Sequence, residues 1–254
     1  MENSKIKSPK QLAPAINLDD PQVLGIIIAI FVVLITVVVF VLWRRKKAAR
    51  RGILIMGLSD SGKTLLFSQL LHNKYVQTHT SVKENIDEYI AGNGSLKVID
   101  IPGHERLRGK FFDEYKAIAR GIVYVVDSVT FQKDIRDVAE FLYTLLSDVV
   151  VANNCPPVLI LCNKQDQTMA KGCSVVKSLL EKEMNMLRMT KSSQLESTNE
   201  TDNNNVFLGK REKDFEFAHL HPIRVDFAES TGVSTDEEKS AELESLEKWL
   251  MQIA

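Results

Sequence analysis

Eight consecutive residues carry the most specific chemistry in the chain: Gly57, Leu58, Ser59, Asp60, Ser61, Gly62, Lys63 and Thr64. They match G-x-x-x-x-G-K-[ST] at every fixed position, the pattern of a loop that wraps phosphate. The glycines let the backbone curl so that several N–H groups face one anion. A helix starting at the end of the loop adds unpaired N–H donors and a partial positive charge. Lys63 brings a full charge within reach of β- and γ-phosphates, and Thr64 brings a hydroxyl suited to Mg²⁺.

Four more stretches have the chemistry to complete a GTP site. In Asp100-Ile101-Pro102-Gly103-His104 the Asp100 carboxylate can hold Mg²⁺ through water, and the Gly103 N–H can meet the γ-phosphate. In Asn163-Lys164-Gln165-Asp166 the Asp166 carboxylate can accept from both N1–H and the 2-amino group of guanine. Adenine has no matching donors, and a carboxylate left unpaired there costs on the order of 1–3 kcal/mol. Asn163 and Lys164 complete that motif. Thr231 and Gly232 follow the last apolar strand, where a backbone N–H can reach guanine O6. Their setting, Ser230-Thr231-Gly232, departs from the usual Ser-Ala-Lys form. A second Mg²⁺-binding hydroxyl is expected within Thr78 to Ser81, and Thr80 is the choice made among them. His104 stands where many GTPases carry a water-orienting glutamine. It is the candidate catalytic residue, with a solvated loop histidine as the other reading. Phe111, Phe112 and Tyr115 read either as a nucleotide-gated partner surface or as core.

These residues need a scaffold that brings loop ends together. Ile53 to Met56 reads as a buried strand ahead of the phosphate loop, and Leu65, Leu66, Gln69, Leu70 and Leu71 follow at helical spacing. His72 to Val82 is polar and reads as a loop. Asn85 to Ala91 and Ser95 to Ile101 are strand-like runs joined by Gly92-Asn93-Gly94, a hairpin signal. Gly121 to Asp127 and Val158 to Cys162 are apolar strands, and Pro222 to Ala228 is the last. Helices are expected over Phe131 to Ser147 and Val175 to Met189. A final helix is expected from the capping box at Thr235-Asp236-Glu237-Glu238. Alternating strands and helices predict an α/β fold. Its sheet is mostly parallel, covered on both faces, with one antiparallel edge strand from the hairpin. Thr190 to Asp214 is polar and reads as a flexible insertion (about 190–214).

The chain has 254 residues and a net charge of -1, which gives no sign of direct nucleic-acid binding. Cys155, Cys162 and Cys173 form an odd, sparse set without C-x-x-C spacing, which fits reduced thiols rather than a disulfide framework or a zinc site. Four segments are expected. Residues 1–22 are a short lumenal tail, and 23–43 a single transmembrane helix. Residues 44–51 are a basic juxtamembrane segment, and 52–254 the GTPase domain. Val23 to Trp43 is uncharged and long enough to cross the ~30 Å hydrocarbon layer. Arg44, Arg45, Lys46, Lys47, Arg50 and Arg51 follow it. The positive-inside rule then puts the N-terminus across the membrane and the domain in the cytosol. The basic cluster can also touch anionic lipid.

The motifs at Gly57–Thr64, Asp100–His104 and Asn163–Asp166 resemble those of Ras-like small GTPases, on the Arf/Sar side. Ras and Arf proteins are held to membranes by lipid, so an attached membrane span is unusual. Together with that span, Asp137-Val138-Ala139-Glu140-Phe141-Leu142-Tyr143 and Glu247-Lys248-Trp249-Leu250 make the chain similar to the family of β subunits of the signal recognition particle receptor. The resemblance implies a P-loop GTPase domain with GTP/GDP and Mg²⁺ as cofactors. It also implies an endoplasmic-reticulum membrane location and recruitment of the receptor's α subunit. Through that subunit it implies indirect contact with the ribosome and the signal recognition particle. Two other functions fit the motifs: an Arf/Sar-like trafficking GTPase, and a constitutive GTP-bound membrane scaffold without turnover.

Overall fold

The structure, a computed structural model, describes residues 28–41, 50–92, 94–197, 206–233 and 242–254. The chain divides into two units, Met1–Ala48 and Ala49–Ala254. In the first, residues 28–41 form helix α1, with Ile28, Phe31, Leu34, Val38 and their neighbours exposed on all sides. The rest of the expected span, from Val23 to Trp43, lies outside the described residues. Among the described residues no helix is long and apolar enough to cross a membrane.

The second unit is built on strand alternation. In β1 (Gly52–Met56) every residue is buried. Ile53 and Ile55 face one core layer, Leu54 and Met56 the other. Strands β4 (Ala119–Asp127) and β5 (Val158–Asn163) alternate in the same way, as the period of two demands when both faces are covered. With β2 (Asn85–Ala91), β3 (Gly94–Asp100) and β6 (Val225–Glu229) they form a six-stranded sheet, ordered β2-β3-β1-β4-β5-β6. Only the β2–β3 pair is antiparallel. Helices α2 (Lys63–His72) and α7 (Glu244–Ile253) pack on one face. Helices α3 (Glu105–Tyr115), α4 (Phe131–Ser147), α5 (Val149–Asn154) and α6 (Cys173–Ser197) pack on the other. The fold is the expected α/β Ras-like GTPase fold.

Several elements differ from the sequence expectation. The stretch after His104, for which no helix was expected, forms α3. Phe111 and Phe112 on its inner face are buried, which settles those two rings as core. Helix α5 went unnoticed because Val149-Val150-Val151 is β-branched. Asp148 forces the turn by accepting from the Val150 and Val151 N–H groups at 2.8 and 3.2 Å. Helix α6 runs past Met189 to Ser197. The return of the chain at 206–214 is held by Arg188, which is buried and donates to the carbonyls of Lys210 and Lys213 at 2.9 and 2.6 Å. Strand β6 starts at Val225 rather than Pro222, since Leu220–Ile223 is a hydrogen-bonded turn. The capping box at Thr235–Glu238 lies outside the described residues. The last helix begins at Glu244, because Glu242 is extended in a bridge to Thr231.

Candidate guanine-nucleotide site

The phosphate loop runs from the buried end of β1 into α2. No side chain caps α2, and the first helical bond there is from the Leu66 N–H to the Gly62 carbonyl. The N–H groups of its first turn therefore point out of the helix end, where an anion satisfies them. Gly62 has φ 91, and a Cβ there would lie 2.4 Å from Asn163 Nδ2, so only glycine fits. Lys63 is buried with its ammonium on the Leu58 carbonyl at 2.6 Å. Burial pushes that ammonium down to about 8, against the pull of Asp100 and Asp60.

Thr64 and Asp100 meet as expected: Thr64 Oγ1 donates to Asp100 Oδ2 at 2.8 Å. Asn85 Nδ2 donates to the same oxygen at 3.0 Å. Burial raises the Asp100 carboxyl, opposed by those two bonds and by Lys63. Its other oxygen, Oδ1, is buried without a hydrogen-bond partner among the described residues. A buried, unpartnered carboxylate oxygen beside two hydroxyls is a hard-oxygen set that fits Mg²⁺. Among Thr78 to Ser81, the hydroxyl that meets Thr64 here is that of Ser81. Ser81 Oγ lies 3.1 Å from Thr64 Oγ1, while Thr80 is exposed on the wall of the cavity. The cavity is lined by Ser59, Asp60, Gly62, Lys63, Thr64, Thr78, His79, Thr80, Ser81 and Gly103.

Gly103 brings the end of β3 against the phosphate loop. A Cβ on it would lie 2.6 Å from the backbone of Leu58 and Ser59. His104 is exposed, and its Nδ1 accepts from the Arg106 N–H at 3.3 Å, capping α3. The bond engages the Nδ1 side of the ring and leaves Nε2 facing solvent-side partners.

The base-side loop is tied to the phosphate side by Asn163. Its Nδ2 donates to the Ser61 carbonyl at 2.9 Å, and its Oδ1 accepts from Ser230 Oγ at 3.2 Å. Lys164, at φ 65, pairs with Asp127 at 2.6 Å. Gln165 Nε2 donates to Ser128 Oγ and the Lys171 carbonyl at 2.9 and 3.0 Å. Asp166 is exposed at the tip. Thr231 and Gly232 are buried; Thr231 pairs with Glu242, and Gly232 packs on Leu65. Reasoning from the sequence passed over Asn85, Asp127 and Ser128 as site residues, and named Ser81 and Ser230 only as members of wider stretches. Asp127 and Ser128 were legible in principle, being the end of a buried strand that parallels β1 and β5.

Comparison with known proteins identifies the kin. The family model described as "Signal recognition particle receptor beta subunit" matches residues 48–223. The chain belongs to that family. It is 44% identical over 239 residues to the human signal recognition particle receptor subunit beta, covering 92% of this chain and 88% of the human one. A solved structure of the mammalian SRP receptor superposes with a TM-score of 0.69 at 44% identity, covering 80% of this chain and 100% of that one. The SRb-GTP/SRX complex from Chaetomium thermophilum gives a TM-score of 0.60 at 22% identity. It covers 79% of this chain and 97% of that one, a likeness of fold.

Proposed function

We propose that this chain is the membrane-anchored subunit of a signal recognition particle receptor, binding GTP or GDP with Mg²⁺ and docking the α subunit when GTP is bound. One observation carries the reading. The Asp100 carboxylate joins the phosphate loop, through Thr64, to Asn85 at the start of β2, with Ser81 alongside. Mg²⁺ held by Thr64, Ser81 and Asp100 would supply charge neutralisation for the phosphates. The segment before β2 therefore shares its anchoring groups with the ligand, and Gly103 ties the start of the α3 segment to the same loop. A γ-phosphate can bias both segments at once, which is what a nucleotide-gated surface requires. The family's solved complex of SRb-GTP with SRX supports an α-type partner. His104 in the place of a water-orienting glutamine goes with slow turnover by the isolated chain.

The test is titration of the α subunit's N-terminal domain against the chain loaded with a GTP analogue or with GDP. A preference of about 5–150-fold for the GTP form is expected. Equal affinity would leave the constitutive scaffold.

The anchoring half of the proposal rests on the uncharged run from Val23 to Trp43 and the basic cluster after it. It places the N-terminus in the lumen of the endoplasmic reticulum and the nucleotide domain in the cytosol. Protease added to sealed microsomes is expected to digest the domain beyond Arg51. Protection of that region would reverse the topology.

A further inference from the structure

We propose that Asp60 is a built-in release element: its carboxylate, on the wall of the phosphate cavity, opposes bound phosphates and sets how fast guanine nucleotide leaves. This rests on the reading of the cavity as a guanine-nucleotide site.

The phosphate-loop pattern leaves position 60 open to any residue, so the motif does not ask for an acid there. The backbone does not ask for one either. Asp60 sits at φ 60, in the left-handed region where glycine is free of strain and asparagine is as well tolerated as aspartate. Yet the side chain is a carboxylate, and it lines the cavity with Lys63, Thr64, His79 and Gly103. Lys63 is the one Lys or Arg among those lining residues. The field of Asp60 reaches the Lys63 ammonium, the group that must attract the phosphates.

Asp60 is the one acid among the lining residues, and it differs in kind from Asp100, which lies behind Thr64. Asp100 is buried, and two of its neighbours donate to it. Its charge has a use in holding Mg²⁺. Asp60 is exposed, and its charge has no such use. A di- or triphosphate placed on the α2 N-terminus gains the N–H donors and Lys63. It must also accept one like charge on the wall of the same cavity. Neither the fold nor the motif requires that charge, and its physical effect on a bound polyanion is to speed departure.

The experiment follows release of a fluorescent GDP analogue from the full chain in detergent, chased with excess GDP, for the parent, Asp60→Asn and Asp60→Gly. Each variant is measured with Mg²⁺ and with EDTA. Removing one partly screened like charge is expected to slow release about 5–20-fold in both media. The glycine variant must slow release as well. Slowing in Asp60→Asn alone would mean that the new amide donates to phosphate, and would overturn the proposal. So would release that is unchanged or faster in both media. If Asp60 instead served Mg²⁺ through water, Asp60→Asn would speed release in Mg²⁺ and leave it unchanged in EDTA, which also overturns the proposal. A parent chain that binds no guanine nucleotide would refute the underlying reading of the cavity, before any variant is compared, and this proposal would fall with it.

Discussion

Asp166→Asn is expected to exchange guanine for xanthine as the favoured base. In the proposed site the carboxylate would accept from two guanine donors, N1–H and the 2-amino group, and an amide cannot accept from both. Each hydrogen bond to a charged acceptor contributes about 1.5–3 kcal/mol, so losing the pair weakens GTP binding by roughly two to four orders of magnitude. Xanthine carries a 2-oxo group in place of the amine, and the new amide N–H donates to it. The fold should not suffer. The loop is held by Asn163 on Ser61, Lys164 on Asp127 and Gln165 on Ser128 and Lys171, with Asp166 exposed at its tip. Unfolding free energy is therefore expected to stay within about 0.5 kcal/mol of the parent, as for other exposed positions. Equilibrium titrations with GTP and xanthosine triphosphate make the comparison. A variant that binds GTP as tightly as the parent removes Asp166 from the role of base reader.

The parts of this site that could be read from the sequence are those where residue type and chain neighbours suffice. A glycine-rich loop after an apolar run specifies its own geometry, and Gly57–Thr64 takes the expected strand-to-helix position. Helix α4 was legible to both ends, Phe131 and Ser147, because its apolar residues recur at helical spacing. Other parts depend on contacts between distant segments. Thr78, Thr80 and Ser81 are chemically alike, and only the path of the loop towards Asn85 decides that Ser81 meets Thr64. The start of α7 is fixed by the bridge between Thr231 and Glu242, residues from two different segments. Helix α3 is a different case. Leu107, Phe111 and Tyr115 recur at every fourth position, a helical signal in plain view, and six charged residues around them masked it. The role of Asn163 as a joint between three loops had no local signal at all, since its partners Ser61 and Ser230 lie far away in the chain.

That joint sets the second large effect. Asn163→Ala is expected to weaken GDP and GTP alike and to lower stability, without changing base preference. The side chain is buried, and it offers a donor to the Ser61 carbonyl and an acceptor to the Ser230 hydroxyl. Alanine leaves both groups without their partner, at a cost of about 2–3 kcal/mol in unfolding free energy. It also removes the amide lying against Gly62, so the phosphate loop loses a wall at the residue that starts α2. Affinity for either nucleotide is expected to fall about tenfold or more, the cost of re-ordering a loop now held less firmly. Asn163→Asp sharpens the test. It keeps the acceptor for Ser230 but turns the donor into a second acceptor, a charged one, facing the Ser61 carbonyl. Two acceptors in contact repel, and a buried charge without a donor costs more than a missing bond. Aspartate should therefore be worse than alanine on both readouts, although it is nearly the same shape as asparagine. Urea unfolding and nucleotide titration of the two variants give the order. If alanine left GDP affinity intact, or if aspartate were the milder change, the Asn163 amide would not be what couples the base loop to the phosphate loop.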